Sequence, residues 1–147
     1  MPDLFFERHV EHLPERMYAL VADLADYPRF IRNVKSMDLR ADSPPRDDTK
    51  LARMTITFGP ITQAYTSRVV FDPVAKSITA KAIDGPFQYL DSKWTFEPEG
   101  QGTRVRLDLD FKISNPLIAA AAEPAFAAKQ REIMEAFIAE ADRRYGA

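Results

Sequence analysis

The chain has 147 residues and a mass of 16.7 kDa, a length that fits one domain. Hydrophobic residues make up 46% and charged residues 29%, a mixture that can bury a core and that differs from the composition of disordered chains. The formal net charge of −2 gives no general attraction to nucleic acid or an anionic bilayer, and the absence of cysteine excludes disulfides, thiolate nucleophiles and cysteine-ligated metal centres.

The N-terminal segment lacks the long apolar stretch of a signal peptide, and no run elsewhere is long enough to span a bilayer. These features predict a soluble, cytoplasmic protein that folds as a single domain over residues 1–147. DNA is not expected as a partner.

The first 35 residues predict one strand followed by two short helices. Residues 4–10 are rich in aromatic and β-favouring side chains, and Pro14 suits the first turn of a helix. Three apolar residues then recur at helical spacing: Met17, Val21 and Leu24. Tyr27-Pro28 is expected to end or bend that helix, because the residue before a proline avoids the α region.

From Ser36 to Ile113 the hydrophobic period becomes two, which predicts strands with one apolar face. The sets that share the apolar face, with Ser67 as a polar member, are Ala52, Met54, Ile56 and Phe58; Tyr65, Ser67, Val69 and Phe71; Leu90, Trp94 and Phe96; and Val105, Leu107, Leu109, Phe111 and Ile113. Turn signals, among them Gly59-Pro60 and Asp84-Gly85-Pro86, separate these strands. The pattern predicts an antiparallel meander of about five or six strands.

Asn115-Pro116 predicts the start of a long C-terminal helix, with asparagine as the N-cap. Its apolar stripe contains Phe126, Ile133, Phe137 and Ala141, and we expect it to cover the apolar face of the sheet. Pro124 cannot donate to the carbonyl of Ala120, which predicts a kink or a break just before it.

The supply of catalytic groups is small. The two histidines, His9 and His12, are three residues apart on or after a strand, so they are expected at the surface and are poor candidates for a shared metal. Asp108 and Asp110 alternate with apolar residues and are expected on the solvated face. Asp84 is expected to act as a turn residue.

One carboxylate and one ammonium group could pair inside a pocket if their strand face pointed inward. Asp91 and Lys93 share a strand face with Phe87 and Tyr89 by simple alternation. Leu90 and Trp94 on the alternate face predict that Asp91 and Lys93 point outward.

Aromatic residues make up 11% of the chain, a supply that either fills a core or lines an apolar pocket. Residues 116–128 are nearly uncharged, with Glu123 as the exception. This segment is either plain core, a lid over a cavity, or a surface that touches a membrane.

Several short runs occur in a characteristic order. They are residues 17–23 (MYALVAD), 27–30 (YPRF), 65–69 (YTSRV), 84–87 (DGPF), 94–96 (WTF), Asp110-Phe111 and Tyr145-Gly146, with Leu90 between the fourth and fifth. In this order and spacing the chain resembles the START-like, helix-grip superfamily, also called the polyketide cyclase or Bet v 1-like group. Within it, the chain resembles the coenzyme Q-binding family, which also contains the bacterial ribosome association toxin.

This resemblance implies an α+β helix-grip fold. A curved antiparallel sheet of about six or seven strands would wrap on the long C-terminal helix, with two short helices after the first strand. After Tyr-Pro-x-Phe many family members continue with a proline, a tryptophan and a cysteine. Here the sequence is Ile31-Arg32-Asn33-Val34, so one wall of the implied cavity is expected to differ.

The resemblance also implies a cavity between the sheet and the C-terminal helix that holds a hydrophobic ligand, with ubiquinone as the family's ligand. Apolar and aromatic side chains suit its isoprenoid tail, since each buried methylene contributes about 0.8 kcal/mol. The expected ligand-binding residues are Phe30, Met54, Ile56, Tyr65, Ser67, Val69, Trp94, Leu109, Phe111, Phe126, Ile133 and Phe137. Among them, Tyr65 and Ser67 are best able to bond a quinone carbonyl.

The implied function is therefore non-enzymatic: a quinone chaperone or shuttle that supports respiratory electron transport or quinone biosynthesis. No metal and no cofactor other than the bound ubiquinone are expected. Such a protein would visit the inner face of the cell membrane as a peripheral protein, with residues 116–126 as the contact.

Two other functions remain open, because fold alone does not decide among them. The first is a protein directed to the large ribosomal subunit, as the toxin members suggest, for which the basic residues Arg29, Arg32, Lys35 and Arg40 would serve. The second is an enzyme of the polyketide cyclase or aromatase kind, which would need an acid–base residue inside the cavity.

Overall fold

The computed structural model describes residues 3–58 and 61–146, and the side chains of Asp3, Phe58 and Ile61 are not among the described parts. The predicted turn at Gly59-Pro60 and the predicted inward position of the Phe58 side chain lie outside the described parts. The seven strands are β1 (Asp3–Val10), β2 (Val34–Ala41), β3 (Thr49–Phe58), β4 (Ile61–Asp72), β5 (Ser77–Ala82), β6 (Phe87–Glu99) and β7 (Gly102–Ile113). The helices are α1 (Pro14–Ala22), a 3₁₀ turn (Leu24–Asp26), α2 (Tyr27–Phe30) and α3 (Pro116–Tyr145).

The strands form one antiparallel sheet in the order β1-β7-β6-β5-β4-β3-β2. Strands β2 to β7 are joined consecutively, as the meander prediction requires, and β1 pairs with β7, with Leu4 opposite Leu109. The long helix α3 packs on the apolar face of the sheet. The predicted fold class, a curved antiparallel sheet covered by a long C-terminal helix with two short helices after β1, is confirmed.

For the described side chains of the predicted strands, the alternation of apolar and polar residues predicts correctly which ones face the core, except at Phe87 on β6. The register of β6 against β7 shifts between Phe87 and Tyr89. This bulge carries the Phe87 side chain to the buried face, on the same side as Leu90, so the prediction that Phe87 shares a face with Asp91 is wrong.

The helix pair differs in detail from its prediction. Helix α1 ends at Ala22, before the Tyr27-Pro28 pair, and Tyr27 opens α2 with φ −54° and ψ −45°. The expectation that Tyr27 avoids the α region is therefore wrong. Pro28 lies in the first turn of α2, where a backbone N–H would have no acceptor within the helix. The Tyr27 hydroxyl donates to the Val21 carbonyl oxygen.

Helix α3 runs unbroken from Pro116 to Tyr145, so of the two predicted alternatives, a kink or a break before Pro124, the break is wrong. Pro124 and Ala120 are both exposed, which places the site of the lost backbone hydrogen bond at the solvated side of the helix. Asn115 caps the helix as predicted, because its side-chain oxygen accepts from the Leu117 N–H at 2.9 Å. The predicted stripe is buried along its length.

The two histidines have different surroundings. His9 is exposed, as predicted, and contacts Glu99 and Glu11. His12 is buried instead, with its side chain 3% exposed and its Nε2 atom 2.7 Å from Asp142 Oδ1. The expectation of a surface position is wrong for His12, because the turn after β1 places its ring against the C-terminal end of α3.

Among the described residues, none of the helices is long and apolar enough to cross a bilayer.

Candidate ligand cavity between the sheet and helix α3

A cavity of about 110 Å³ lies between the inner face of the sheet, α2 and α3. Nine of its lining residues were expected from the sequence: Met54, Tyr65, Ser67, Val69, Trp94, Leu109, Phe126, Ile133 and Phe137. Strands β3, β4, β6 and β7 present the first six, and one face of α3 presents the last three.

Three expected residues do not line the cavity. Ile56 and Phe111 are 2% and 0% exposed and belong to the packed core beside it. Phe30 is partly buried on α2, with its ring 5.4 Å from the ring of Phe137. Alternation predicted that Ile56 and Phe111 point inward, but it does not tell which part of an inner face meets the cavity.

Sequence reasoning missed the remaining part of the wall: Leu24, Tyr27, Ile31, Val34, Met37, Ala52, Ile78, Ala80, Leu90, Ser92, Leu107 and Gln130. The spacing of two polar residues among them would have been enough to predict their inward position. Ser92 alternates between Leu90 and Trp94 on the inward face of β6, and Gln130 lies four residues after Phe126 on the stripe of α3. Ile31 and Val34 belong to the segment 31–34, which directly follows Tyr-Pro-x-Phe in the sequence.

Aromatic rings frame the cavity at two ends. At one end Phe126 contacts Phe111 and Phe87, with centroid distances of 4.7 Å and 5.1 Å, and Phe87 lies 5.1 Å from Tyr65. At the other end Phe137 lies 5.0 Å from Tyr27 and 5.3 Å from Trp94. Helix α3 therefore contributes one aromatic anchor to each end of the cavity.

Hydroxyl groups provide most of the polarity of the wall. Within the part of the chain that the structure describes, the side chains of Tyr65, Ser67, Ser92 and Gln130 have no hydrogen-bond partner. The Tyr27 hydroxyl, in contrast, is bonded to the Val21 carbonyl. Burial raises the pKa of both tyrosine hydroxyls above its usual value, so each keeps its proton near neutral pH.

The described wall contains no Asp, Glu, Lys, Arg or His side chain. Such a wall can solvate an uncharged ligand and donate hydrogen bonds to its acceptors, but it offers no counter-ion to a buried charge. In the described residues there is likewise no cluster of three or more His, Cys, Asp or Glu side chains that could hold a metal.

An ion cluster joins α2 and the 3₁₀ turn to the C-terminal part of α3; its members are Asp26, Arg29, Glu140, Arg143 and Arg144. The Glu140 side chain is only 5% exposed. It accepts from Arg143 Nε at 3.0 Å, from Arg144 Nε at 2.7 Å and from Arg29. The guanidinium groups, with Arg143 first, hold the pKa of Glu140 well below its usual range.

The N-terminal end of α3 has a different character. Leu117 and Ile118 are 88% and 46% exposed. Glu123, the one acidic residue of this segment, accepts from the Ile113 N–H at 3.0 Å, and the Ser114 N–H donates to the Pro86 carbonyl at 2.9 Å. The start of α3 is therefore fastened to the sheet by polar contacts, while its outer side presents apolar groups to solvent.

Comparison with known proteins agrees with this architecture. Residues 10–138 match the family model described as polyketide cyclase/dehydrase and lipid transport. The ribosome association toxin RatA of Pseudomonas aeruginosa is 30% identical over 131 residues, covering 88% of each chain, and the coenzyme Q-binding protein coq10 of Schizosaccharomyces pombe is 25% identical, covering 91% of this chain and 83% of its own.

Among solved structures, the Zhui aromatase/cyclase from Streptomyces sp. R1128 superposes with a TM-score of 0.88 at 14% identity, covering 98% of this chain and 95% of its own. At this identity the likeness concerns the fold alone. The extent of the family match, together with relatives that span nearly the whole chain, shows that the protein belongs to the START-like polyketide cyclase/dehydrase and lipid-transport family.

Proposed function

We propose that this protein binds a neutral, largely apolar lipid in the cavity between the sheet and α3, and that the lipid is ubiquinone. It would act as a chaperone or shuttle for respiratory electron transport or quinone biosynthesis. The observation that carries the proposal is the wall itself, which is apolar, lacks charged side chains within the described residues and presents the unpartnered hydroxyls of Tyr65, Ser67 and Ser92. A quinone supplies the matching groups, two carbonyl acceptors and an isoprenoid tail.

The size of the cavity bears on how a lipid enters. Ligand pockets commonly measure roughly 300–1,000 Å³, whereas this cavity measures about 110 Å³. A quinone head group with its tail therefore requires the cavity to widen. The N-terminal half of α3 is the part that we expect to move. The Glu123 side chain joins it to the sheet through the Ile113 N–H, a bond that would have to open, whereas several ion pairs hold the C-terminal half.

The chemistry of the wall supports a binding role over an enzymatic one. A cyclase or aromatase needs a general acid or base within reach of its substrate. In the described wall the ionisable side chains are those of Tyr27 and Tyr65, and burial raises the pKa of both. Neither is available as a base near neutral pH.

Binding can be measured through Trp94, which lines the cavity and is the chain's single tryptophan. Titration with a ubiquinone that carries a two-isoprenoid tail is expected to quench its fluorescence to saturation at one ligand per chain. A fatty acid of similar length serves as the control and is expected to bind more weakly, because its carboxylate finds no counter-ion in the wall. Absence of saturable quenching by the quinone contradicts the proposal.

Delivery of such a lipid requires contact with a bilayer, and the exposed apolar groups at the start of α3 support this location. Replacing Leu117 with aspartate is expected to reduce co-sedimentation with lipid vesicles severalfold, because a carboxylate resists burial among acyl chains. Val74→Asp is the matched control. Val74 is 91% exposed in the turn between β4 and β5, at the end of the sheet opposite to the start of α3. Equal losses in the two variants contradict a contact at α3.

A ribosome-directed function is the second candidate, favoured by the relatives named ribosome association toxin. Arg32, Lys35 and Arg40 are exposed and form no ion pair within the described part of the chain, whereas Arg29 is engaged by Asp26 and Glu140. A protein that shows no quinone binding, but co-sediments with large ribosomal subunits at low salt and dissociates steeply as salt rises, would favour this function.

A further inference from the structure

The loop between β5 and β6, residues 83–86, is bonded to one short piece of β4. The Thr66 backbone N–H donates to Asp84 Oδ1 at 2.6 Å, and the Ile83 N–H donates to the Thr66 carbonyl oxygen at 2.8 Å. Both backbone polar groups of Thr66, a residue that is 2% exposed, are thus held by this loop. Asp84 therefore does more than form a local turn, because it fixes the backbone of a strand 18 residues earlier.

The next residue of the loop lies directly against Tyr65. Gly85 has a φ of +98°, and a Cβ atom added to it would lie 2.5 Å from the Cβ of Tyr65. A larger residue would therefore push Tyr65 from its position. On the far side of the loop, the Phe87 ring packs edge-on to the Tyr65 ring at 5.1 Å.

Thr66 separates two residues that line the cavity. Alternate residues of a strand point to opposite faces, so a fixed Thr66 backbone also fixes the directions of Tyr65 and Ser67. Their hydroxyls have no hydrogen-bond partner in the described protein and are available to a ligand. The position of these donors depends on a loop that itself lies outside the cavity.

We propose that the 83–86 loop sets the specificity of the cavity, with Asp84 and Gly85 as positioning residues that hold the hydroxyls of Tyr65 and Ser67 in register with a carbonyl oxygen of the ligand. This inference rests on the proposed function. It adds that recognition of the carbonyl depends on the loop, while binding of the tail does not. The apolar remainder of the wall comes from the strands, from the 3₁₀ turn and α2, and from α3, and none of it belongs to the loop.

The test compares two probes in wild type and variants: the ubiquinone with a two-isoprenoid tail, and a phenyl compound that carries the same tail but no carbonyl. Asp84→Ala is expected to lower the affinity for the quinone by roughly threefold to tenfold, and the affinity for the phenyl compound by less than about twofold. Tyr65→Phe is expected to show the same discrimination. Asp84→Asn is expected to restore quinone binding, because its amide oxygen still accepts from the Thr66 N–H.

The outcomes distinguish the positioning role of the 83–86 loop from the binding function of the cavity. Equal weakening of both probes in Asp84→Ala, or failure of Asp84→Asn to restore binding, overturns the positioning role while leaving the binding function in place. Wild-type protein that binds neither probe overturns the proposed function. If Asp84→Ala does not fold, Asp84→Asn and Tyr65→Phe keep the proposal testable. Asp84→Asn must bind both probes as the wild type does, and Tyr65→Phe, which removes only a hydroxyl, must weaken binding of the quinone alone.

Discussion

Replacing Ala80 with phenylalanine is expected to abolish ligand binding while leaving the protein folded. Ala80 lies on β5 between Val69 and Ser92 on the neighbouring strands, and all three line the cavity. A benzyl group at this position occupies the space into which a quinone ring would enter. We expect the affinity for ubiquinone, measured by Trp94 quenching, to fall at least roughly 100-fold, or about 3 kcal/mol.

The control for this variant is Thr79→Phe, which adds the same ring to the outer face of the same strand. It is expected to bind ubiquinone as the wild type does. The melting temperature reports whether Ala80→Phe remains folded, since overpacking in a core costs about 1–3 kcal/mol. A folded Ala80→Phe protein with wild-type affinity would place the ligand outside the cavity.

Replacing Glu140 with glutamine is expected to cause the largest loss of stability among conservative changes on α3. The side chain is 5% exposed and bonded to Arg29, Arg143 and Arg144, and its loss leaves guanidinium groups close together without their shared carboxylate. Breaking a fully buried ion pair costs about 3–5 kcal/mol. Because Arg29 and Arg143 are partly solvated, we expect a loss of about 2–3 kcal/mol at pH 7 in urea unfolding.

The effect of this substitution is expected to depend on pH in a defined direction. The folded protein holds the pKa of Glu140 below the ordinary value of 4.5. The carboxylate therefore stabilises the fold fully above about pH 4.5, and this contribution is lost as the pH falls through the lower pKa of the folded state. The difference in unfolding free energy between wild type and Glu140→Gln should shrink over that range.

Glu135→Gln provides a matched control on the same helix. Glu135 pairs with Arg8, but both side chains are about half exposed, at 52% and 41%. Exposed pairs of this kind contribute about 0–1 kcal/mol. A stability difference for Glu140→Gln that stays constant from pH 7 to pH 3, or that is no larger than for Glu135→Gln, contradicts the role given to the ion cluster.

The sequence predicts the inner face of the sheet well because period-two alternation is a local property. Tyr65, Ser67 and Val69 face the cavity as their spacing indicates. The same rule fails at Phe87, where a single bulge changes the face of the residue before it. A bulge depends on how two strands meet, so alternation within one strand carries no signal of it.

The other differences between the sequence-based predictions and the structure also arise from contacts between distant parts of the chain. His12 is buried because the turn after β1 lies under the end of α3, more than a hundred residues later in the chain. Pro124 stays within a continuous helix because packing of Ala122 and Phe126 holds the surrounding turns against the sheet. The cavity wall near Ile31 and Val34 was missed because it comes from the end of α2 and the start of β2, where no periodic pattern is long enough to read.

The position of β1 in the sheet has a consequence for the order of folding. Among the described strands, each of β2 to β7 pairs with its neighbour in sequence, whereas β1 pairs with β7 alone, with Leu4 opposite Leu109. At synthesis rates of roughly 5–20 residues per second, about 5–20 s pass between the making of these two strands. Of the seven described strands, the one that is synthesised first is therefore the last to gain its partner in the sheet.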